Sequence, residues 1–382
     1  MIELLQDQAL FRLLLVLSIG VAFAVYTRLH LVGGGSVAGG YIAILVVLSA
    51  WSTLLGTIVV TGLTLAVMRG VLLRILGIPR SWQFVLSVLV GSVLTAVLDA
   101  IVPPWISLGE PLGLAVTFGA FVIPGMLAYD VAHQGFARTM LALGLVSGIT
   151  LLICVPLFLL MHQLPTATDP AVPIVEGIPL GLIHFAAVAV IVVGAVLRFW
   201  FNWRSGGFIG ALFIVEFFSI EAFIAVGLAA LATQGCMWVL ERRVVFTMRQ
   251  RSMVAMMLGA LVAWAGLYWG GAIGWVPAQE ANLYTLSPLL ATGLLAADMG
   301  RTGSDTLRSL LGMGVAAATL SVLVWVAENY GLWWGTLGVG VVALGFIPAA
   351  LALRQPWRAA EASGKVRLVA LGRDPGPVAP PA

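Results

Sequence analysis

The sequence predicts an all-α polytopic transmembrane protein of about thirteen spans, organised as two parallel six-helix repeats followed by one extra C-terminal helix. Three observations lead there. Composition comes first: 61% of the 382 residues are hydrophobic and 9% are charged, more apolar surface than a soluble domain can bury. Charge placement comes second, because the basic residues gather at alternate connections between apolar runs. The third is a twelve-residue phrase, Pro124 to Gly135, that returns 168 positions later as Thr292 to Gly303. Its Gly, Leu, Ala, Asp and final Gly are identical, and His133 answers to Arg301. An internal duplication of a membrane unit explains such a repeat.

Taken in order, the apolar runs lie at 9–27, 35–50, 54–76, 82–102, 112–129, 139–161, 179–198, 206–219, 222–240, 252–270, 283–297, 309–327 and 332–352. The first is a retained helix and not a cleaved leader, since Glu3 and Asp7 stand where a leader has positive charge. Arg28, Arg69, Arg74, Arg80, Arg138, Arg198, Arg204, Arg242, Arg243, Arg249, Arg251, Arg301, Arg308 and the basic tail lie at alternate connections. The intervening loops carry Glu110, Asp169, Glu176, Glu280 and Glu328 without Lys or Arg. The positive-inside rule then puts the N-terminus outside and the C-terminus in the cytoplasm.

The duplication extends beyond the opening phrase. The glycine-rich stretch 34–39 matches 206–211, and Arg80-Ser81 matches Arg251-Ser252. Residues 1–165 and 166–330 form the two repeats; 331–352 adds a helix with Trp333-Trp334 at the outer interface, and 353–382 is a basic, then Pro/Gly-rich, tail. Six is even, so both repeats enter the membrane in the same direction, related by an axis along its normal.

The second and eighth spans are short and glycine-rich, with Gly35, Gly40, Tyr41 and Gly207 near their starts. The fifth holds Pro124-Gly125, and Gly293 is the matching glycine of the eleventh. Interrupted segments at matching positions of two repeats point to a site. Close helix packing explains the same small residues. The cysteines, Cys154 and Cys236, lie in apolar stretches without metal-ligand spacing and are expected to be buried small hydrophobes.

The phrase Pro124-Gly-Met-Leu-Ala-Tyr-Asp-x-x-His-Gln-Gly135 resembles the Pro-Gly-Leu-Ile-Ala-Asn-Asp-x-x-Arg-Gln-Gly pattern of the PgsC/CapC family. Upstream, Arg28, Gly35, Val37, Gly40, Tyr41 and Ala43 keep the spacing of that family's Arg-Thr-Gly and Gly-x-Val-x-Pro-Gly-Tyr-x-Ala segment. Gly39 stands where the family has Pro, Tyr129 and Ala297 where it has Asn, His133 where it has Arg, and Thr292 where it has Pro. The resemblance implies the membrane subunit of poly-γ-glutamate capsule synthesis, fused here as a tandem pair. It implies a cytoplasmic ATP-dependent amide ligase as partner, further membrane or periplasmic subunits, and a polyanionic product to handle and export.

The residues agree that the chain does not activate glutamate itself. It has no phosphate-cradling Gly-x-x-x-x-Gly-Lys-Ser/Thr loop and no Ser/His/Asp or Cys/His set, so no catalytic residue, metal or cofactor is expected, and no nucleic acid. Contact with polymer, partner or anionic lipid is expected at Arg28, Arg80, Asp130, His133, Arg138, Arg251, Asp298, Arg301 and Arg308. Topology signals, helix caps and salt bridges explain the same charges. A secondary transporter for a small anionic solute would bury paired charges in several spans, where this chain offers only Glu216 and Asp99. A scaffold that recruits a ligase without touching polymer fits the charge map equally.

Overall fold

The computed structural model describes residues 8–33, 37–73, 80–101, 114–162, 180–201, 220–273, 287–300 and 303–344. They form helices and no strand. In chain order these are α1 (Gln8–Leu29), α2 (Ala38–Val47), α3 (Trp51–Val67), α4 (Arg80–Ile101), α5 (Leu114–Gln134) and α6 (Phe136–His162). There follow α7 (Leu180–Phe201), α8 (Ile220–Glu241), α9 (Met248–Ile273), α10 (Ser287–Asp298), α11 (Gly303–Tyr330) and α12 (Leu332–Leu344). A π-helical turn, Met68–Leu73, continues α3.

Five helical stretches are long and apolar enough to cross a membrane: Leu10–Leu29, Trp51–Gly70, Phe136–Leu157, Phe223–Glu241 and Gly303–Tyr330. Shorter apolar helices stand beside them, including α2 and α12. This is a membrane protein. The expected eighth span, 206–219, and the end of the thirteenth lie outside the described residues, as do Gly35, Gly207, Arg301, Glu216 and the tail.

The two halves pack alike. Within the first, α4 lies along α5, α1 along α6, and α3 against both α4 and α5; within the second, α9 lies along α10, α7 along α11, and α8 against both α9 and α10. Between the halves, α1 packs on α9 and α4 on α7. Gly20 of α1 faces the Met257 sulfur of α9 at 3.5 Å from an added Cβ, and Val16 joins Ala260, Ala263 and Leu289 in one buried cluster. A larger core runs through Ala187, Ile191, Ala255, Leu295, Met299, Met313 and Leu320, and a separate one joins α1, α2 and α5 through Leu10, Leu14, Ile44, Ile123 and Leu127.

Glycine decides how closely the central pairs approach. A Cβ added to Gly91 would lie 2.7 Å from the Gly125 nitrogen, and one added to Gly259 would lie 2.8 Å from the Gly293 Cα. In lipid, where apolar side chains gain little by leaving the solvent, such backbone-to-backbone contact is what holds helices together. Gly91 and Gly259 are separated by 168 positions, as are Gly125 and Gly293. At that same spacing of 168 positions Arg251 falls opposite Gln83, three residues beyond Arg80.

The second span departs from its expected bounds. Helix α2 starts only at Ala38, and its ten residues rise about 15 Å, half a bilayer. Gly39 lies against Val146 of α6 and Gly40 against Ser18 of α1. Both partners are about three helical turns inside their helices, so α2 begins at mid-depth. Cys154 is buried as expected, but Cys236 is exposed on α8. An all-apolar run does not distinguish its inner face from its outer one.

Candidate functional site

One end of the bundle gathers the polar residues that the spans themselves exclude. Helix α1 closes there with Arg28 in its last turn and His30 in a left-handed conformation (φ 55°). Helix α5 closes with His133 and Gln134, and Gly135 (φ 91°) turns the chain into α6. This is a position where a residue with a Cβ is strained.

Gln134 joins the two segments that carry the family resemblance. Its Oε1 accepts from the Val32 N–H at 3.3 Å and its Nε2 donates to the Val32 carbonyl, so one side-chain amide satisfies both backbone groups of a residue outside any helix. The same Nε2 contacts the Thr139 hydroxyl at 3.0 Å, which itself donates to the Gly135 carbonyl at 2.9 Å. Non-helical backbone within a membrane protein needs such partners, because lipid supplies none. Just beyond, Gly33 passes so close to α6 that a Cβ would lie 2.8 Å from the Leu143 nitrogen.

Both aspartates are engaged within the fold. Asp130 is 8% exposed and engaged within the fold. His133 is exposed and does not turn to it; its Nδ1 lies 2.8 Å from the Tyr129 carbonyl and its ring 4.2 Å from the Tyr129 ring, which meets Phe84 edge-on at 5.4 Å. Asp298 is half-buried and engaged, and its backbone carbonyl accepts from Ser309 at 3.3 Å. Asp305, in the first turn of α11, lies against Gly300.

Arg251 is the most enclosed of the expected contact residues. At 7% exposure it donates Nε to Glu241 at 2.6 Å, Nη1 to the Met299 carbonyl at 2.8 Å, and Nη2 to the Gly300 carbonyl at 3.3 Å and to Gln234 at 3.4 Å. Gln234 donates to the same Gly300 carbonyl at 2.6 Å. The guanidinium thus seals the C-terminal end of α10, where helix carbonyls lack partners and the dipole favours a cation. All its bonds are internal, which makes it a clamp and not a surface charge.

Arg28, Arg138 and Arg308 are exposed on this end. Arg80 opens α4. Arg249 of α9 reaches across to α1 and lies 5.0 Å over the Tyr26 ring, whose neighbour in an edge-on contact is His30. Tyr41 is buried, with its hydroxyl beside Thr57 of α3, and Gly40, Pro124, Gly125 and Gly293 are all buried in helix contacts. Among the described residues no group of three His, Cys, Asp or Glu side chains could hold a metal ion. Sequence reasoning missed Gln134, Gln234 and Gly91; Gln134 lies inside the repeated phrase, and Gly91 is one repeat length from Gly259.

A bundle of apolar helices, several of them long enough to cross a membrane, defines a multi-pass membrane protein. Residues 17–140 match the family model described as capsule biosynthesis CapC, so that stretch is similar to the CapC family. The match runs from α1 to the first turn of α6 and includes both segments joined by Gln134. It ties the protein to capsule biosynthesis. Comparison with curated proteins and with solved structures gives no match.

Proposed function

We propose that this chain is the membrane subunit of a poly-γ-glutamate-type polymer synthesis and export complex, formed by two CapC-like units fused in tandem. It anchors a cytoplasmic ATP-dependent amide ligase and guides the anionic product from the ligase to the membrane. The observation that carries this reading is the junction at Gln134, which draws the glycine-rich segment and the Asp130 segment of the family match into one structure beside Arg28, His133 and Arg138. Arginine forks suit carboxylates two bonds at a time, and a polyanion presents many. Fusion of two units is supported by the equal spacing of the glycine crossings and by the matching helix neighbours of the two halves.

Asp130→Ala and Asp298→Ala test the function. Loss of a carboxylate that only caps a helix costs about 0.5–2 kcal/mol, too little to remove a large membrane protein from the bilayer. Each variant should keep near-normal abundance while polymer output and co-purification of the ligase fall sharply, with the double variant worse than either. Normal polymer production by the double variant at normal abundance would return both aspartates to a structural role.

The thirteen-span arrangement, with the N-terminus outside and the C-terminal tail cytoplasmic, is tested separately. Reporter fusions after Glu176 and after Arg251 should report the periplasm and the cytoplasm respectively. The same compartment at both sites would refute the arrangement.

A further inference from the structure

The two central crossings share one backbone register and differ in chemistry. Val88, Gly91 and Gly125 of the first correspond to Met256, Gly259 and Gly293 of the second. At the same offset Pro124 becomes Thr292, while Ser87, Ser92 and Thr95 become Ala255, Ala260 and Ala263. All of these serines, threonines and alanines are buried. The alanines of α9 achieve the same close packing, so the hydroxyls of α4 are not needed to bring the helices together.

Thr95 donates to the Gly91 carbonyl of its own helix at 2.9 Å, whereas Ser87 and Ser92 reach across to α5 around the proline. Pro124 has no N–H, which leaves the carbonyl four residues before it without its helix partner and displaces the turn. On either side of this break α4 supplies lateral bonds: Ser92 donates to the Phe121 carbonyl at 3.0 Å, and Ser87 donates to the Gly125 carbonyl. Side-chain bonds of this kind let a broken membrane helix persist and let it bend. Helix α10 has Thr292, with its N–H, at the matching place.

The feet of the two helices differ in the same sense. The α5 segment beyond the break ends in Gln134, whose neutral amide holds Val32. The α10 segment ends in carbonyls held by Arg251, itself paired with Glu241. We propose that residues 125–134 form a hinged arm that pivots at Pro124-Gly125 and, through Gln134, moves the non-helical residues 30–33, while residues 293–300 are the fixed counterpart. Only the first crossing is then a moving part. The motion is a property of the chain itself and does not depend on which polymer or ligase it serves.

Amide hydrogen exchange on the full-length protein in phosphatidylethanolamine/phosphatidylglycerol nanodiscs tests this. Residues 126–134 should exchange on the order of tenfold faster than 294–300. Giving α5 the chemistry of α10 by Pro124→Thr with Ser87→Ala and Ser92→Ala should slow 126–134 to the rate of 294–300, and residues 30–33 should slow with them. Adding Gln134→Ala should leave the arm slow but release 30–33. The reciprocal change, Thr292→Pro with Ala255→Ser and Ala260→Ser, should speed 294–300 and covers the case in which the first variant misfolds. Equal rates for the two arms in the unmodified protein would overturn the proposal, as would a residue 30–33 segment indifferent to the state of Pro124.

Discussion

Arg251→Ala should destabilise this protein more than replacement of any exposed arginine, by about 3–5 kcal/mol. The guanidinium is enclosed at 7% exposure and makes bonds to Glu241, Gln234 and the Met299 and Gly300 carbonyls. Its removal leaves the Glu241 carboxylate, 18% exposed, without this partner, and strips the end of α10 of its cation. Arg251→Lys should recover only part of the loss, because an ammonium cannot reach two carbonyls and a carboxylate in the fork geometry. Arg251→Met combined with Glu241→Gln should be milder than Arg251→Ala alone, since no charge is then left unpaired. Thermal unfolding in detergent measures all three. An unchanged midpoint for Arg251→Ala would mean that the clamp contributes nothing.

Gly125→Val should be comparably damaging for a different reason. A Cβ at position 125 would lie 2.5 Å from the Ser87 carbonyl oxygen, and that is backbone, which cannot turn aside as a side chain does. The two helices must separate, at a cost of about 1–3 kcal/mol or more, and in lipid no hydrophobic gain offsets the weaker packing between them. Gly293→Val should behave alike, since a Cβ there would lie 2.7 Å from the Met256 carbonyl oxygen. Gly148→Ala supplies the control: nothing lies within 4 Å of its added Cβ, and alanine is the better helix former. Membrane abundance and thermal midpoint should fall for the two valine variants and hold for the alanine one. Equal behaviour of Gly125→Val and Gly148→Ala would show that the crossing is looser than the structure has it.

The class of fold was legible because a bilayer imposes it: long apolar runs broken by charge leave few alternatives to helices. Gly125 and Gly293 were legible because they sit inside a repeated phrase with polar residues to mark it. Gly91 and Gly259 were not, because glycine within a uniformly apolar run carries no sign of what it faces, although the shared offset of 168 was available to find them. The role of Arg251 was hidden for a related reason. Two of its partners are backbone carbonyls, which every residue possesses, so no side chain at 299 or 300 signals the contact. Gln134 was overlooked because the charged neighbours Asp130 and His133 drew attention, while an uncharged amide is what can match a peptide group donor for acceptor. The exposed Cys236 shows the converse limit: period and composition place a residue in a span but do not orient it.

The contrast between the two glycine crossings has a consequence for stoichiometry. Two separate copies of a single unit would present two identical crossings, each with serines and a proline, and would come apart on dilution. Here one polypeptide holds one crossing with Ser87, Ser92 and Pro124 and one with Ala255, Ala260 and Thr292. Covalent linkage replaces association by a fixed local concentration, so the alanine-lined half is never without its serine-lined companion. Each molecule therefore brings a single polar crossing to any assembly it joins, whatever the protein concentration in the membrane.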